Sequence, residues 1–439
     1  MRRCSPPGLA ALILATNPMS APAQEPIDSA LAHYIATIPA IDNHAHPMRP
    51  LRPGGGAPPD TEFDALPLDG VPPFPIPWRL TTDAPVWGRA ARALYGKEAP
   101  AAARARAIAA RGNQFPAWAL DRAGIEIMFA NRIANGPGLE PPRFRWVPFD
   151  DPLLFPLDTK GEAARTPDTR SLYPREAALL RRYLRDLGLA AVPPPATLSA
   201  YVASVVIPTL QRQRQAGAVA IKFELAYLRP LDLGSVDSAD ASAIYTRYAA
   251  AGTPTHAEYK TLTDYLFRIV AREAGRLGLA VHLHVLETFG GFYEARGATP
   301  GQLEPVFNDS TLRATNFVLI HGGWPAVGET EAMLGKPNVY ADISMIDQML
   351  GAAELAPVLR AWLTRWPDKV LFGSDAFEGG PDQGWEQGAL VAATTARRAL
   401  GIALTAMMRD GEIDLVRARV LARMVLRDNA VILYHLNQP

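Results

Sequence analysis

The residues best suited to chemistry in this chain are metal-ligand types spread along its length: His44-Ala45-His46 near the start, His282-Leu283-His284 and His321 further on, and Asp375 near the end. Each sits at the end of a short apolar run, the pattern of strands that deliver side chains to one shared site. Imidazoles and a carboxylate suit Zn²⁺ and similar ions, and Zn²⁺ lowers the pKa of its bound water to about 7. The set points to an enzyme.

Spacing carries the argument. On a strand, side chains alternate faces, so His44 and His46 point the same way with Cβ atoms about 7 Å apart, close enough to share one divalent ion. The run Ile41-Asp42-Asn43-His44-Ala45-His46 stops at Pro47, Leu279 to Val285 contains a second His-x-His, Asn316 to Ile320 leads into His321-Gly322-Gly323, and Val370 to Ser374 leads into Asp375. One apolar run ending in histidine is usually core. Four in one chain are harder to read that way.

Strand-like runs number eight: Ala40 to His46, Ile125 to Ala130, Phe144 to Pro148, Ala218 to Glu224, Leu279 to Val285, Asn316 to His321, Val339 to Ile343 and Val370 to Asp375. Helix-like segments such as Leu262 to Leu277 and Ala353 to Trp366 lie between several of them, which reads as βα units around a parallel sheet. Eight units predict an α/β fold, a (β/α)₈ TIM barrel with its catalytic groups at the C-terminal ends of the strands. Closure also brings Asp375 of the last strand beside His44 and His46 of the first, which an open sheet need not do. The surplus over a minimal barrel falls in insertions 48 to 115 and 149 to 197, after the first and third strands, where both should wall the catalytic face. Phe74, Trp78 and Trp87 suggest that the first insertion packs against something; its Gly54-Gly55-Gly56 stretch reads as solvated linker.

Composition bounds the partners. The 439 residues carry 44 basic and 44 acidic side chains, so nothing points to nucleic acid or to an anionic membrane surface. No stretch approaches the roughly 18 consecutive apolar residues of a membrane span. A small-molecule substrate remains, and homo-oligomerisation is allowed. Met1-Arg2-Arg3, the apolar Leu9 to Thr16 and Ala21-Pro22-Ala23 form the pattern of an export signal, residues 1 to 23, ahead of a single domain over 24 to 439. Export predicts a periplasmic or secreted protein. Cys4 would leave with the signal, so the mature chain would have neither disulfides nor thiolate ligands.

Taken together, Asp42-Asn43-His44-Ala45-His46, Ile221-Lys222-Phe223, His282-Leu283-His284, Leu319-Ile320-His321-Gly322-Gly323, Val339 to Ser344, Leu371 to Asp375 and the terminal Asn429-Ala430 before Leu433-Tyr434 resemble the amidohydrolase superfamily, in its amidohydrolase-related branch of metal-dependent TIM-barrel hydrolases. The resemblance implies that His44, His46, a histidine of the fifth strand and Asp375 bind one or two divalent ions, with His321 a further ligand or a contact to substrate. His284, nearer the strand end, suits the fifth-strand ligand better than His282, which reads as a deeper group. Asp375 would take the proton of the activated water and return it to the leaving group. Asp342 is a candidate partner for a ligand imidazole.

Lys222 is the open question, one of only six lysines and on the same strand face as Glu224. An ammonium about 4 Å from a divalent ion is opposed by roughly 8 kcal/mol at an effective dielectric near 20. Either Lys222 carries CO₂ as a bridging carbamate, as in binuclear members of the superfamily, or it faces Glu224 or an anionic substrate. Asp375, His321 and Lys222 are the candidate catalytic group. The expectation is an exported metal-dependent hydrolase of amide, ester or lactone bonds; the alternatives are a nonoxidative decarboxylase of the same branch and a non-catalytic binding barrel.

Overall fold

The computed structural model describes residues 27–49, 74–96, 99–190, 195–286, 291, 293–380 and 382–436. Its eight parallel strands coincide with the eight apolar runs: β1 Ala40–Ala45, β2 Ile125–Asn131, β3 Phe144–Val147, β4 Ala220–Phe223, β5 Ala280–His284, β6 Phe317–Ile320, β7 Val339–Asp342 and β8 Val370–Leu371. Continuous ladders join β1 to β3 and β4 to β8. Two single bridges, Trp146 with Ala218 and Phe149 with Lys222, link β3 to β4. At the other seam, Asn43 N donates to Phe372 O at 2.9 Å, Asp375 N to His44 O at 2.7 Å and His46 N to Ala376 O at 2.8 Å. The sheet is therefore a closed (β/α)₈ barrel.

Alternation of side chains divides the core in two. Inward-facing Ile41, Phe129, Val147, Ala220, Val318, Ile320 and Leu371 fill the barrel, and Ala430, Leu433 and Tyr434 of the C-terminal helix pack into the same cluster. Outward-facing residues such as Val281, Leu283, Phe317 and Leu319 pack on the surrounding helices with Leu266, Phe267, Leu359 and Trp362. The helix His256–Arg276 is entered through a capping box, Thr255 with Glu258, as expected of a Thr-x-x-Glu start. No helix among the described residues is long and apolar enough to cross a membrane.

The described part of the first insertion forms helices Pro85–Tyr95 and Pro100–Arg111. Trp87 is buried with Ala90 against Val391 of the long helix Trp385–Arg409, and its Nε1 donates to Arg79 O at 2.8 Å. Trp78, expected to pack in the same way, is 65% exposed. The Gly54-Gly55-Gly56 stretch, most of the proline-rich run and the export signal lie outside the described residues. The second insertion carries Asp151–Leu154 and helices Lys160–Arg165 and Leu172–Asp186. Tyr183 of the latter donates to Phe149 O at 2.5 Å, holding the insertion against the end of β3.

Candidate metal centre

β1 ends where a register shift interrupts its ladder with β2, between Asp42 and Ala45. His44 and His46 lie in and just beyond that irregular stretch, and both rings reach Asp375: His44 Nε2 is 3.1 Å and His46 Nε2 3.2 Å from the same oxygen, Oδ1. Ligands about 2.0–2.1 Å from a tetrahedral Zn²⁺ lie roughly 3.3 Å from one another, so these separations suit three atoms around one small ion. All three donor atoms lie within 4.8 Å of one another. His44 Nε2 is also buried with no hydrogen-bond partner, a cost that a metal would remove. The donor set fits a divalent ion.

His321 and His284 stand next to this group. His321 Nδ1 is 3.7 Å from Asp375 Oδ2, and its Nε2 is 3.0 Å from His284 Nδ1. The ring centroids of His44 and His321 are 5.1 Å apart, and Tyr227 lies 4.4 Å from His284. His282 does not join them: its Nε2 meets Tyr434 Oη at 2.7 Å, within the layer that the C-terminal segment closes. It lies two positions before His284 on the same face, so it sits one layer deeper in the barrel.

Lys222 is buried, and its Nζ donates to Glu224 Oε1 at 3.4 Å, the partner its strand face implied. Glu224 N donates in turn to Asp151 Oδ2 at 2.8 Å. Asp151 and Glu176, both buried near this pair, have carboxyls pushed well above their usual range, chiefly by burial.

The backbone around the site is unusual in a way that serves it. Asp375 has φ 50° and His321 φ 69°, a left-handed conformation that non-glycine residues adopt at a cost of about 1–3 kcal/mol. Gln348 opposes that cost at Asp375 by donating from Nε2 to Ser374 O at 2.7 Å and to Asp375 O at 3.0 Å. Asp42 ties β1 to the same turn, accepting from Ser374 Oγ at 2.5 Å and Ser374 N at 2.9 Å. Gly373 is required because a Cβ there would come within 2.7 Å of Asp342 Oδ2. Asp342 accepts from His321 N at 2.8 Å and Ser344 Oγ at 2.8 Å, and Ser344 Oγ meets His321 Nδ1 at 3.0 Å. It therefore orients His321 through the backbone and Ser344 rather than by direct contact with the ring.

Burial holds the His44 imidazole well below its usual pKa, with Lys222 adding to the effect, and lowers His321 to about 3. Neutral rings keep a lone pair for an ion. Burial opposes ionisation of Asp375, yet the neighbouring His321, His44 and His46 outweigh it, and the carboxyl lies well below its ordinary value. His44 is thus set as a neutral donor and Asp375 as an anion.

Asn131 escaped the sequence reading. It closes β2, one residue past the expected end, and its Nδ2 lies 2.9 Å from His44 Nδ1. Coordination through Nε2 places the ring proton on Nδ1, which then needs an acceptor. A half-turn of the amide would bring the Asn131 oxygen, buried and unpartnered as it stands, to Nδ1 in exchange for the 3.3 Å bond from Nδ2 to Ala45 O. The available signal was an apolar strand ending in a polar residue, the same pattern that located the histidines.

The family model Amidohydro_2, described as amidohydrolase, matches residues 177–436, more than half the chain. This chain belongs to the amidohydrolase family. No curated protein sequence matches it. Among solved structures, it is similar to a protein described as a metal-dependent hydrolase from Lactobacillus casei, at 16% identity and TM-score 0.58, covering 93% of this chain and 98% of that one. It is likewise similar to glucuronate isomerase from Caulobacter crescentus, at 15% identity and TM-score 0.60 over 93% and 94% of the two chains. Uronate isomerase from Thermotoga maritima aligns at 14% identity and TM-score 0.53, over 92% and 96%. At these identities the likeness is one of fold, and it extends to the whole amidohydrolase barrel including the region before residue 177.

Proposed function

We propose that this amidohydrolase is an exported hydrolase that cleaves an amide, ester or lactone bond of a small molecule with water. The observation that carries the reading is the single carboxylate oxygen of Asp375 facing both His44 Nε2 and His46 Nε2 at 3.1 and 3.2 Å, at the C-terminal ends of β1 and β8. In this reading His44, His46 and Asp375 hold the ion, and His284 and His321 stand beside it as further ligands or substrate contacts. A divalent ion, Zn²⁺ in the first instance, supplies Lewis acidity and activates water at neutral pH when bound.

The rest is done by the chain. Asp375 has a second oxygen, Oδ2, not committed to His44 or His46, which can take a proton from water and return it to the departing group. His321, held by Asp342 and Ser344, stands 3.7 Å from that oxygen. Lys222 offsets the buried carboxylate of Glu224, and burial favours the neutral form of Asp151, so the floor of the site does not become strongly anionic.

The test is isotopic. A substrate found by screening N-acyl amino acids, dipeptides and lactones is turned over in ¹⁸O water, and a hydrolase must place one solvent oxygen in the acid product. Stoichiometric CO₂ without label supports decarboxylation instead, and an unlabelled product of the same mass supports isomerisation. Export is checked separately: protein recovered from its native host should begin near Gln24, and an intact Met1 contradicts the signal.

A further inference from the structure

β1 changes phase just where it reaches the metal centre. Asp42 pairs with Met128 and Ala45 with Ala130, so three steps along β1 face two along β2. One extra residue turns the side chains that follow it to the opposite face of the sheet. Packing agrees: Ile41 lies inside the barrel, whereas Ala40 and Ala45, which strict alternation would put on opposite faces, both pack outside it. Without the extra residue Ile41, Asn43 and Ala45 would point inward, and His44 and His46 would point at the helices.

The β1–β2 ladder has no pair between Asp42 and Ala45, and the amide of Asn43 is bonded on both sides of that gap. Its Nδ2 donates to Asp342 Oδ2 at 2.9 Å, and its Oδ1 accepts from Tyr434 Oη, at the end of the C-terminal helix Asn429–Leu433. Chemistry fixes these directions. Asp342 also accepts from Ser344 Oγ and His321 N, so its carboxylate is an acceptor throughout, and Asn43 must show it Nδ2 and show the phenol Oδ1. Burial raises the Tyr434 pKa and keeps its proton in place. That proton goes to Asn43, so the 2.7 Å contact between Tyr434 Oη and His282 Nε2 requires the imidazole proton on Nε2. His282 Nδ1, buried with no partner, is then the lone pair, and burial lowers this ring to about 3, which keeps it neutral.

We propose that Tyr434, oriented by His282, is a positioning residue for the metal centre: through Asn43 it pins the extra residue of β1 that turns His44 and His46 toward Asp375. The role rests on those three residues holding the ion. A side chain 391 positions from Asn43 thus sets the geometry of the first two donors. It also gives His282 a part in the site that it does not touch.

Tyr434→Phe removes the hydroxyl alone, since the ring that packs edge-on to Phe129, with centroids 4.6 Å apart, is kept. Leu433→Ala is the control, because it opens a hole in the same apolar cluster and lowers stability without touching the chain of bonds. Purified wild type and both variants are loaded with Co²⁺, and the visible spectrum and the affinity in competition with a chelator are read. Tyr434→Phe should shift the spectrum and hold the ion about tenfold more weakly, the lower end of what partners of a ligand contribute. Leu433→Ala should keep both wild-type values. The role is overturned if Tyr434→Phe keeps the wild-type spectrum and affinity, or if Leu433→Ala changes them as much, which makes packing the cause. A wild-type protein that binds no Co²⁺ removes the metal centre and this role with it, a result distinct from an intact centre indifferent to Tyr434. Should Tyr434→Phe not fold, ¹⁵N NMR of the wild-type histidine rings decides, with the His282 signals assigned by their loss in His282→Gln. A proton on Nε2 of His282 is expected, and a proton on Nδ1 overturns the chain of bonds.

Discussion

His44 and Asp375, 331 positions apart in the chain, meet across the seam of the barrel with Nε2 and Oδ1 3.1 Å apart. The contact exists only because β8 lies beside β1. Replacing His44 and His46 together by Ala removes two donors of the trio, and the purified double variant should contain no bound metal by mass spectrometry. Wild-type metal content would remove the basis for the proposed centre. Asp375→Asn should fold and lose about 10²-fold or more in turnover, as expected for a positioned acid/base group.

Asn131 gives a prediction that does not touch a ligand. Groups that orient a metal-bound imidazole typically contribute 10- to 100-fold in affinity. Asn131→Leu fills similar space but offers no acceptor to His44 Nδ1, so it should release the ion about 10-fold or more readily in competition with a chelator. Unchanged retention would mean that His44 does not rely on this amide.

Much of this was legible before folding was known. The eight strands and the facing of His44, His46 and Asp375 follow from apolar runs ending in polar residues, because strand periodicity and barrel closure are properties of pattern. Asn131 and Ser344 were not legible, since each acts on a histidine of another strand or loop and only register brings them together: Asn131 pairs with Val147 on β3 while its side chain reaches β1. His282 shows the limit from the other side. Its His-x-His spacing with His284 matches that of His44 and His46, and depth in the barrel, where Tyr434 from the far end of the chain meets it, separates the two.

Lys222 separates two kinds of site. With its ammonium 3.4 Å from Glu224, it acts as the counter-charge of that buried carboxylate. Lys222→Met should then keep its metal but unfold more easily, by about 3–5 kcal/mol, because the buried Glu224 carboxylate loses its cation. Loss of part of the metal, with recovery on adding short-chain carboxylates, would instead identify a bridging carbamate. The metal assay and the denaturation curve are read on the same preparation, so the two outcomes cannot be confused.

Arg104 joins the first insertion to the strand end that carries Asp375. Its Nη1 and Nη2 donate to Glu378 at 2.6 and 2.7 Å, and its Nε to Glu386 at 2.8 Å, where Tyr95 Oη also donates at 2.6 Å. Glu378 lies three residues beyond Asp375, and its carboxyl is raised by burial in spite of the guanidinium. Arg104→Gln leaves two neighbouring carboxylates, one of them fully buried, without their shared cation. Breaking such a pair costs about 3 kcal/mol or more. The variant should be less stable by that order in urea denaturation, and should lose catalytic efficiency while keeping its metal, since the three donors are untouched. The double variant Arg104→Gln with Glu378→Gln should recover part of the stability, because the uncompensated charge goes with it. A single variant as stable as the wild type would show that the insertion is held over the β8 end by its apolar contacts through Trp87 and Val391 instead.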